Sequence, residues 1–324
     1  MAGEPHRWAP GADLPTLRLR AEVFGQIRDW FSDAGVLEVD TPALSASAAT
    51  DPHLSSFAVH GGQNDWWLQT SPEYPMKRLL AAGSGDIYQL CHVFRQGESG
   101  ARHNPEFAML EWYRLGIGMH DLMDDVDALI RRLCDGRRRL GPGIRLSYRE
   151  AFVRHAGLDP FDAGAAELSA ALASRGIGIP ATATEDREAL MDLCLSAVVE
   201  PSLDRDSPVF LYDFPPWQAA LARLRSGDPT VAERFELFLG GMELANGFHE
   251  LADPEEQRMR FERDLARREA AGMVVPPMDR RLLEALEAGL PDCSGVALGL
   301  DRLLMFLTGA VNIGAVMAFD IRRA

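Results

Sequence analysis

The sequence predicts an α+β protein, a mainly antiparallel sheet flanked by helices, and three observations lead there. Apolar residues recur at helical spacing over residues 17–31, at Val23, Phe24, Ile27, Trp30 and Phe31. Two β-like runs, 87–95 and 107–114, are joined by one polar loop, 96–105. Two more, 234–239 and 242–248, meet at Gly240-Gly241, a favoured two-residue hairpin turn. At 324 residues and 47% hydrophobic, the chain can bury the core such a fold needs.

In chain order, the first helix is expected to end near Gly35. Val36-Leu37-Glu38-Val39 follows as a short strand, stopped by Thr41-Pro42 because proline cannot donate to a ladder. Thr70-Ser71-Pro72-Glu73 reads as a helix start: Ser71 suits the N-cap, Pro72 the first helical position, and Glu73 the positive helix end. That helix should run to about Gly83. After the strands at 87–95 and 107–114, a helical pattern runs from Asp121 to about Arg139. Residues 140–230 mix short helices with Pro- and Gly-rich turns and say least about function. Beyond the hairpin, helices are expected at 255–271 and 280–289. A strand at 296–300 then runs into a helix that Asp301 is placed to cap.

A formal charge of −15 argues against a protein that holds nucleic acid mainly by neutralising phosphates, which takes clustered Lys and Arg. The nearest such run, Arg137-Arg138-Arg139, reads as a solvated turn. Cys91, Cys134, Cys194 and Cys293 are far apart with no metal or redox spacing, so reduced thiols in the cytoplasm are expected. The segment Met1 to Pro15 has no apolar run and reads as no signal peptide. No stretch approaches the roughly 18 apolar residues of a membrane span.

Chemistry-bearing residues fall into three groups. In the strand at 107–114, residues two apart share a face, so Phe107, Met109, Glu111 and Tyr113 point one way. A ring, an acid and a phenol suit a pocket for a flat base and a cationic amine, with a solvated face as the plainer alternative. The loop before it carries Arg95, Glu98, Arg102, His103 and Asn104, groups that suit a nucleotide triphosphate or an ordinary polar loop.

In the hairpin, counting outward from the glycines sets Leu239 against Met242 and Glu236 against Ala245, leaving Glu236 and Glu243 as diagonal neighbours. Two acids so placed repel unless a cation lies between them, and Mg²⁺ is the natural candidate beside a solvated acidic face. The same count puts Asn246 and Glu250 on the opposite face from Glu243, so one shared site requires a bulge between them. The third group, Gly295 to Arg302, is a glycine-punctuated strand feeding a helix. Gly299 would permit close backbone approach to a ligand, and Arg302 would project from the first turn toward a phosphate. The spacing is neither a Rossmann nor a P-loop fingerprint.

The order and wording of these segments are more specific than any one of them. Gly35 to Pro42, Phe94-Arg95 with Arg102 to Phe107, and Gly299-Leu300-Asp301-Arg302 resemble motifs 1, 2 and 3 of the class II aminoacyl-tRNA synthetases. Thr70-Ser71-Pro72-Glu73 and Glu243 to Glu250 resemble the lysyl branch, and the match covers nearly the whole chain. The resemblance implies one class II catalytic domain over residues 1–324, a homodimer formed through motif 1, and activation of a lysine-like amino acid with ATP and Mg²⁺.

Two features depart from lysyl-tRNA synthetases. Those enzymes carry an N-terminal anticodon-binding OB domain, whereas motif 1 here begins by residue 35. They also read Gly-Leu-Gly-Ile-Gly before the Asp-Arg pair, where this chain has Gly295-Val296-Ala297-Leu298-Gly299. Both features resemble the truncated lysyl-tRNA synthetase paralogues that attach (R)-β-lysine to a lysine of elongation factor P. The partner so implied is elongation factor P, with no membrane, and tRNA binding is not expected. A minimal aminoacylator of tRNA and a non-catalytic binding module are the alternatives.

Position by position, the resemblance implies that the catalytic pair is Arg95, on the α-phosphate and amino-acid carboxylate, and Arg302. Phe107 and Arg302 would enclose adenine, while Gln96, Gly97, Glu98, His103, Asn104, Glu243, Leu244 and Gly299 would complete the ATP site. Glu236 and Glu243 would hold Mg²⁺. Ser71, Pro72, Glu73, Glu111, Tyr113, Asn246, Glu250 and Ala297 would surround the amino acid. Motif 2 usually reads Phe-Arg-x-Glu. Here the acid stands one place later, at Glu98, so either Glu98 or a backbone group would read the adenine amine.

Overall fold

The computed structural model describes residues 8–62, 64–181 and 183–324. Of the N-terminal segment read as no signal peptide, residues 1–7 lie outside the described residues. Among the described residues no helix is long and apolar enough to cross a membrane.

The chain opens with α1 (Leu14–Asp33), capped by Asp13, whose carboxylate accepts from Thr16 N at 2.8 Å. Then come β1 (Leu37–Glu38), β2 (Leu44–Ser45), β3 (Ala58–Gly61), β4 (Asn64–Leu68) and α2 (Glu73–Ala81). The central hairpin is β5 (Ile87–Phe94) with β6 (Glu106–Leu115), followed by α3 (Met119–Cys134). The middle region holds β7 (Ile144–Ser147), α4 (Tyr148–His155), α5 (Ala165–Ser174), α6 (Arg187–Cys194), a π-helical turn at Leu195–Val199, and α7 (Glu200–Ser202). It closes with β8 (Val209–Phe214) and β9 (Leu224–Arg225). The second hairpin is β10 (Asp228–Leu239) with β11 (Met242–His249); α8 (Pro254–Ala270), α9 (Arg280–Gly289), β12 (Cys293–Gly299) and α10 (Leu300–Thr308) complete the chain.

Among the described residues, nine strands form one sheet, in the order β1-β5-β6-β12-β11-β10-β8-β7, with β9 on β10. Only the outer pairs β1–β5 and β7–β8 are parallel. The fold is α+β, as expected, and alternation along its strands divides the two faces of the sheet. Ala108, Leu110 and Trp112 of β6 and Val296 and Leu298 of β12 pack against α1, α3 and α10. Their neighbours Met109, Glu111, Tyr113, Gly295, Ala297 and Gly299 line a cavity on the other face.

Several expectations are corrected. The middle region supplies strands β7, β8 and β9 as well as helices, and α4, α5 and α6 bury a second apolar cluster against β7 and β8. The α3 helix stops at Cys134, because the chain turns at Gly136 with φ +68. Arg137-Arg138-Arg139 does lie at a turn with Arg138 and Arg139 exposed, but Arg137 and Arg138 also tie that turn down. Arg137 bonds Glu22 and Gln26 of α1, and Arg138 lies over the Phe306 ring of α10. Strand β12 begins three residues earlier than expected, at Cys293.

Neither proposed cap survives as such. Pro72 takes the N-cap position of α2, with Ser71 Oγ accepting from Glu73 N at 3.1 Å. Gly299 takes that of α10. Asp301 is instead buried in the first turn, accepting from Arg20 Nη1 of α1 (2.5 Å) and from the backbone N–H of Ala108 (2.7 Å). It joins three elements rather than ending one.

Candidate active site

The β10–β11 hairpin holds the bulge that a single site required. Both glycines of its turn have positive φ, Gly240 +65 and Gly241 +72, as a primed two-residue turn demands. Leu239 stands opposite Met242 as counted, and Phe238 opposite Glu243. Leu237 is then opposite Ala245, so Leu244 is the extra residue. Glu236 therefore pairs with Asn246, not with Ala245. The slip brings Glu236, Glu243, Asn246 and the following Glu250 to one face, where all four line the cavity.

That cavity is about 620 Å³. It brings together Ser71, Glu73, Arg95, Glu98, His103, Asn104, Phe107, Glu111, Tyr113, Glu236, Glu243, Leu244, Asn246, Glu250, Ala297, Gly299 and Arg302. Three expected site residues, Pro72, Gln96 and Gly97, do not line it.

One half of the cavity is cationic and aromatic. The Arg95 guanidinium lies over the Phe107 ring at 5.1 Å, donates to Thr70 O (3.3 Å) and is 3.7 Å from Glu98. Arg302 donates to Glu243 O (2.8 Å) and to His103 Nε2 (2.6 Å). Burial, and then the Arg302 charge, hold His103 below the usual histidine range, which leaves its ring neutral and able to accept. Arg102 donates to Gly241 O (2.7 Å), joining the loop between β5 and β6 to the second hairpin. Asn104 spends both ends of its amide inside the protein, donating to Glu106 O and accepting from Ile321 N.

The other half is acidic. Glu111 is buried and accepts from Ser71 Oγ and Tyr113 OH, both at 2.6 Å. Burial, aided by the charge of Glu73, pushes its carboxyl up to about 7. Glu250, also buried, is pushed up to about 8 by burial, against the pull of Lys77. Only glycine fits at 295, since a Cβ there would lie 2.3 Å from the Tyr113 ring and 2.6 Å from Glu250 Oε1. The buried Arg268 of α8 donates to the carbonyls of Thr50 and Asp51, fixing two residues that line the cavity.

Between the halves, Glu236 is pushed up to about 8 by burial, and the charges of Glu243 and Glu200 act in the same direction while Arg234 opposes them. Among the described residues no group of three or more side chains forms a metal cage. Glu236 and Glu243 both line the cavity, and two carboxylates suffice for Mg²⁺, because that ion commonly takes one or two acids and draws its other oxygens from phosphates and water.

Sequence reasoning missed Arg234, which lies 2.5 Å from Glu236 and donates to Asn246 Oδ1 at 3.2 Å. It also missed Lys77, paired at 2.6 Å with both Glu73 and Glu250. Both were within reach. Arg234 sits two residues from Glu236 on the same strand face, and Lys77 sits one helical turn after Glu73.

A mainly antiparallel sheet that carries an arginine–phenylalanine pocket beside an acidic one agrees with the fold that the class II synthetase resemblance implies. The chain belongs to the class II tRNA synthetases (D, K and N), whose family model matches residues 14–323. Within that family it is similar to proteins named elongation factor P–(R)-β-lysine ligase. Those of Klebsiella pneumoniae and Pasteurella multocida are 48% and 49% identical, and that of Salmonella typhi 47%, each alignment covering 99% of both chains.

Proposed function

We propose that this chain activates (R)-β-lysine, or lysine, as its adenylate and transfers the acyl group to a lysine side chain of elongation factor P. One observation carries the reading: a single cavity has a cationic and aromatic half, suited to a triphosphate and a base, next to an acidic half, suited to ammonium groups. The near full-length similarity to the named ligases supports the same reading.

In the first step a carboxylate oxygen attacks the α-phosphorus in line and diphosphate leaves. Arg95 holds the carboxylate and α-phosphate together, and Arg302 meets charge on the leaving phosphates. Phe107 offers the ring on which adenine stacks. Mg²⁺ held by Glu236 and Glu243 would neutralise phosphate charge. Glu73, Glu111, Tyr113 and Glu250 receive the ammonium groups, and Asn246 and Ala297 shape the floor between them. In the second step the acceptor amine attacks the acyl carbon, an amide forms, AMP leaves and the amine gives up a proton.

The chain is proposed to work in the cytoplasm as a single catalytic domain and as a homodimer. Leu37, within motif 1, and Leu44, just after it, are exposed apolar side chains in keeping with a covering subunit. Mass spectrometry of elongation factor P incubated with enzyme, ATP and each lysine isomer tests the reading. The expected result is one added lysyl mass on a single lysine, and an unmodified factor with both isomers would overturn it.

A further inference from the structure

Lys77 is the only lysine in the 324 residues, and every other member of the 33 lysine-plus-arginine positions is arginine. It is 1% exposed and lies behind the cavity wall rather than on it. Its Nζ donates to Glu73 Oε1 at 2.6 Å and lies 2.6 Å from Glu250 Oε2. The two acids reach it from different elements: Glu73 opens α2, and Glu250 follows β11. Glu250 Oε1 has no partner. The other titratable groups facing this cluster are Glu111 and Tyr113 on β6 and Cys293 at the start of β12.

With its acids ionised, this end of the cavity carries three negative charges, from Glu73, Glu111 and Glu250, and Lys77 returns one positive charge. The remainder matches the two ammonium groups of a diamino acid, whose carboxylate is left for Arg95. Geometry explains why a lysine persists in a chain that otherwise uses arginine. An ammonium is a compact charge with three donors, so it can serve two carboxylates arriving from different directions. A guanidinium is a wider planar fork.

We propose that Lys77 is a positioning residue for the amino-acid substrate, holding Glu73 and Glu250 at one separation so that the pocket takes an amino acid with two ammonium groups. This rests on the proposed function and adds the device that selects its substrate class. Lys77 acts through the two acids and does not itself touch the substrate. Were it only a counter-ion for buried acids, any cation of tolerable size would serve.

Lys77→Arg separates the two roles, because it keeps the charge and changes the spacing. Amino-acid-dependent ATP–diphosphate exchange is measured with lysine, (R)-β-lysine and norleucine, which lacks the side-chain amine. The expected result is a KM for the diamino acids raised roughly tenfold, with the KM for ATP within about twofold. The preference for the diamino acids over norleucine should shrink by a similar factor. Lys77→Gln, uncharged and close in size, is the second variant should the arginine not fold, and the same selective rise is expected. Unchanged kinetics, or equal rises for ATP and amino acid, would overturn the proposal. Absence of exchange by the wild-type protein with either diamino acid would instead overturn the proposed function, and this proposal with it.

Discussion

The Arg302 guanidinium lies 2.6 Å from Nε2 of His103, so the helix after β12 and the loop before β6 are already joined at the cationic end of the cavity. Arg302 also donates to Glu243 O, and its side chain reaches into the cavity rather than serving as a core residue. Arg302→Ala should therefore abolish adenylate formation while leaving thermal unfolding and association state unchanged. Diphosphate exchange at a near wild-type rate would show that the triphosphate lies elsewhere.

Glu250→Gln and Tyr113→Phe should each raise the KM for the amino acid far more than that for ATP. Both groups sit in the acidic half of the cavity, apart from the stacked Arg95–Phe107 pair. A buried charge-assisted hydrogen bond is worth about 1.5–3 kcal/mol, so a loss of roughly ten- to a hundred-fold is expected. Steady-state kinetics with each substrate varied in turn checks it; equal effects on both would remove these residues from the amine site.

The raised carboxyls give a pH dependence of definite sign. Glu111 stands at about 7 and Glu236 and Glu250 at about 8, all above their unfolded values. The folded state thus holds these protons more tightly. Their contribution to stability is fully present below the unfolded carboxylate range and is lost as pH rises through 7 to 8. Thermal unfolding of the ligand-free protein should show Tm falling between about pH 5 and pH 8. A diamino acid favours the ionised acids, so the Tm increase it produces should grow over the same interval. A flat profile in both would mean that the acids are ionised before substrate arrives.

Gly299→Ala should leave the fold intact and weaken ATP binding. A Cβ at 299 would meet no protein atom nearer than Leu244 O at 3.8 Å, so packing does not demand glycine there. Gly299 borders the cavity, and the space a methyl would fill is the space proposed for the nucleotide. Unchanged Tm with a raised KM for ATP is the expected pair of results; an unchanged KM would leave Gly299 outside the nucleotide site.

What was legible in the sequence is what short-range periodicity carries. The face of β6 with Phe107, Glu111 and Tyr113 followed from counting by two, and the Gly-Gly hairpin from its turn chemistry. The register of β11 did not follow, because one inserted residue, Leu244, has no compositional mark and shifts every later position. The role of Asp301 was equally hidden. Its partners, Arg20 and Ala108, are remote in sequence and meet it only when three elements pack. Lys77 had a local signal in its spacing from Glu73, but its second partner, Glu250, is a long-range contact.

Ala297→Gly should shift preference from β-lysine toward α-lysine. Ala297 faces Glu111 across one side of β12 and Asn246 across the other, so its methyl stands on the cavity floor between two proposed substrate contacts. In β-lysine the backbone amine sits one carbon farther from the carboxylate than in α-lysine. With the carboxylate fixed near Arg95 and the terminal ammonium near Glu250, that carbon changes how the chain passes over residue 297. A methyl there crowds one path and packs against the other, and glycine removes the distinction. One methyl or methylene in a shaped pocket decides about 1–3 kcal/mol, so the ratio of kcat/KM for the two isomers should move roughly ten- to two-hundred-fold. Adenylation kinetics with both isomers, for wild type and variant, provide the measurement. An unchanged ratio would place the selectivity at Ser71 or Asn246, where hydrogen bonds to the displaced amine would have to make the choice instead.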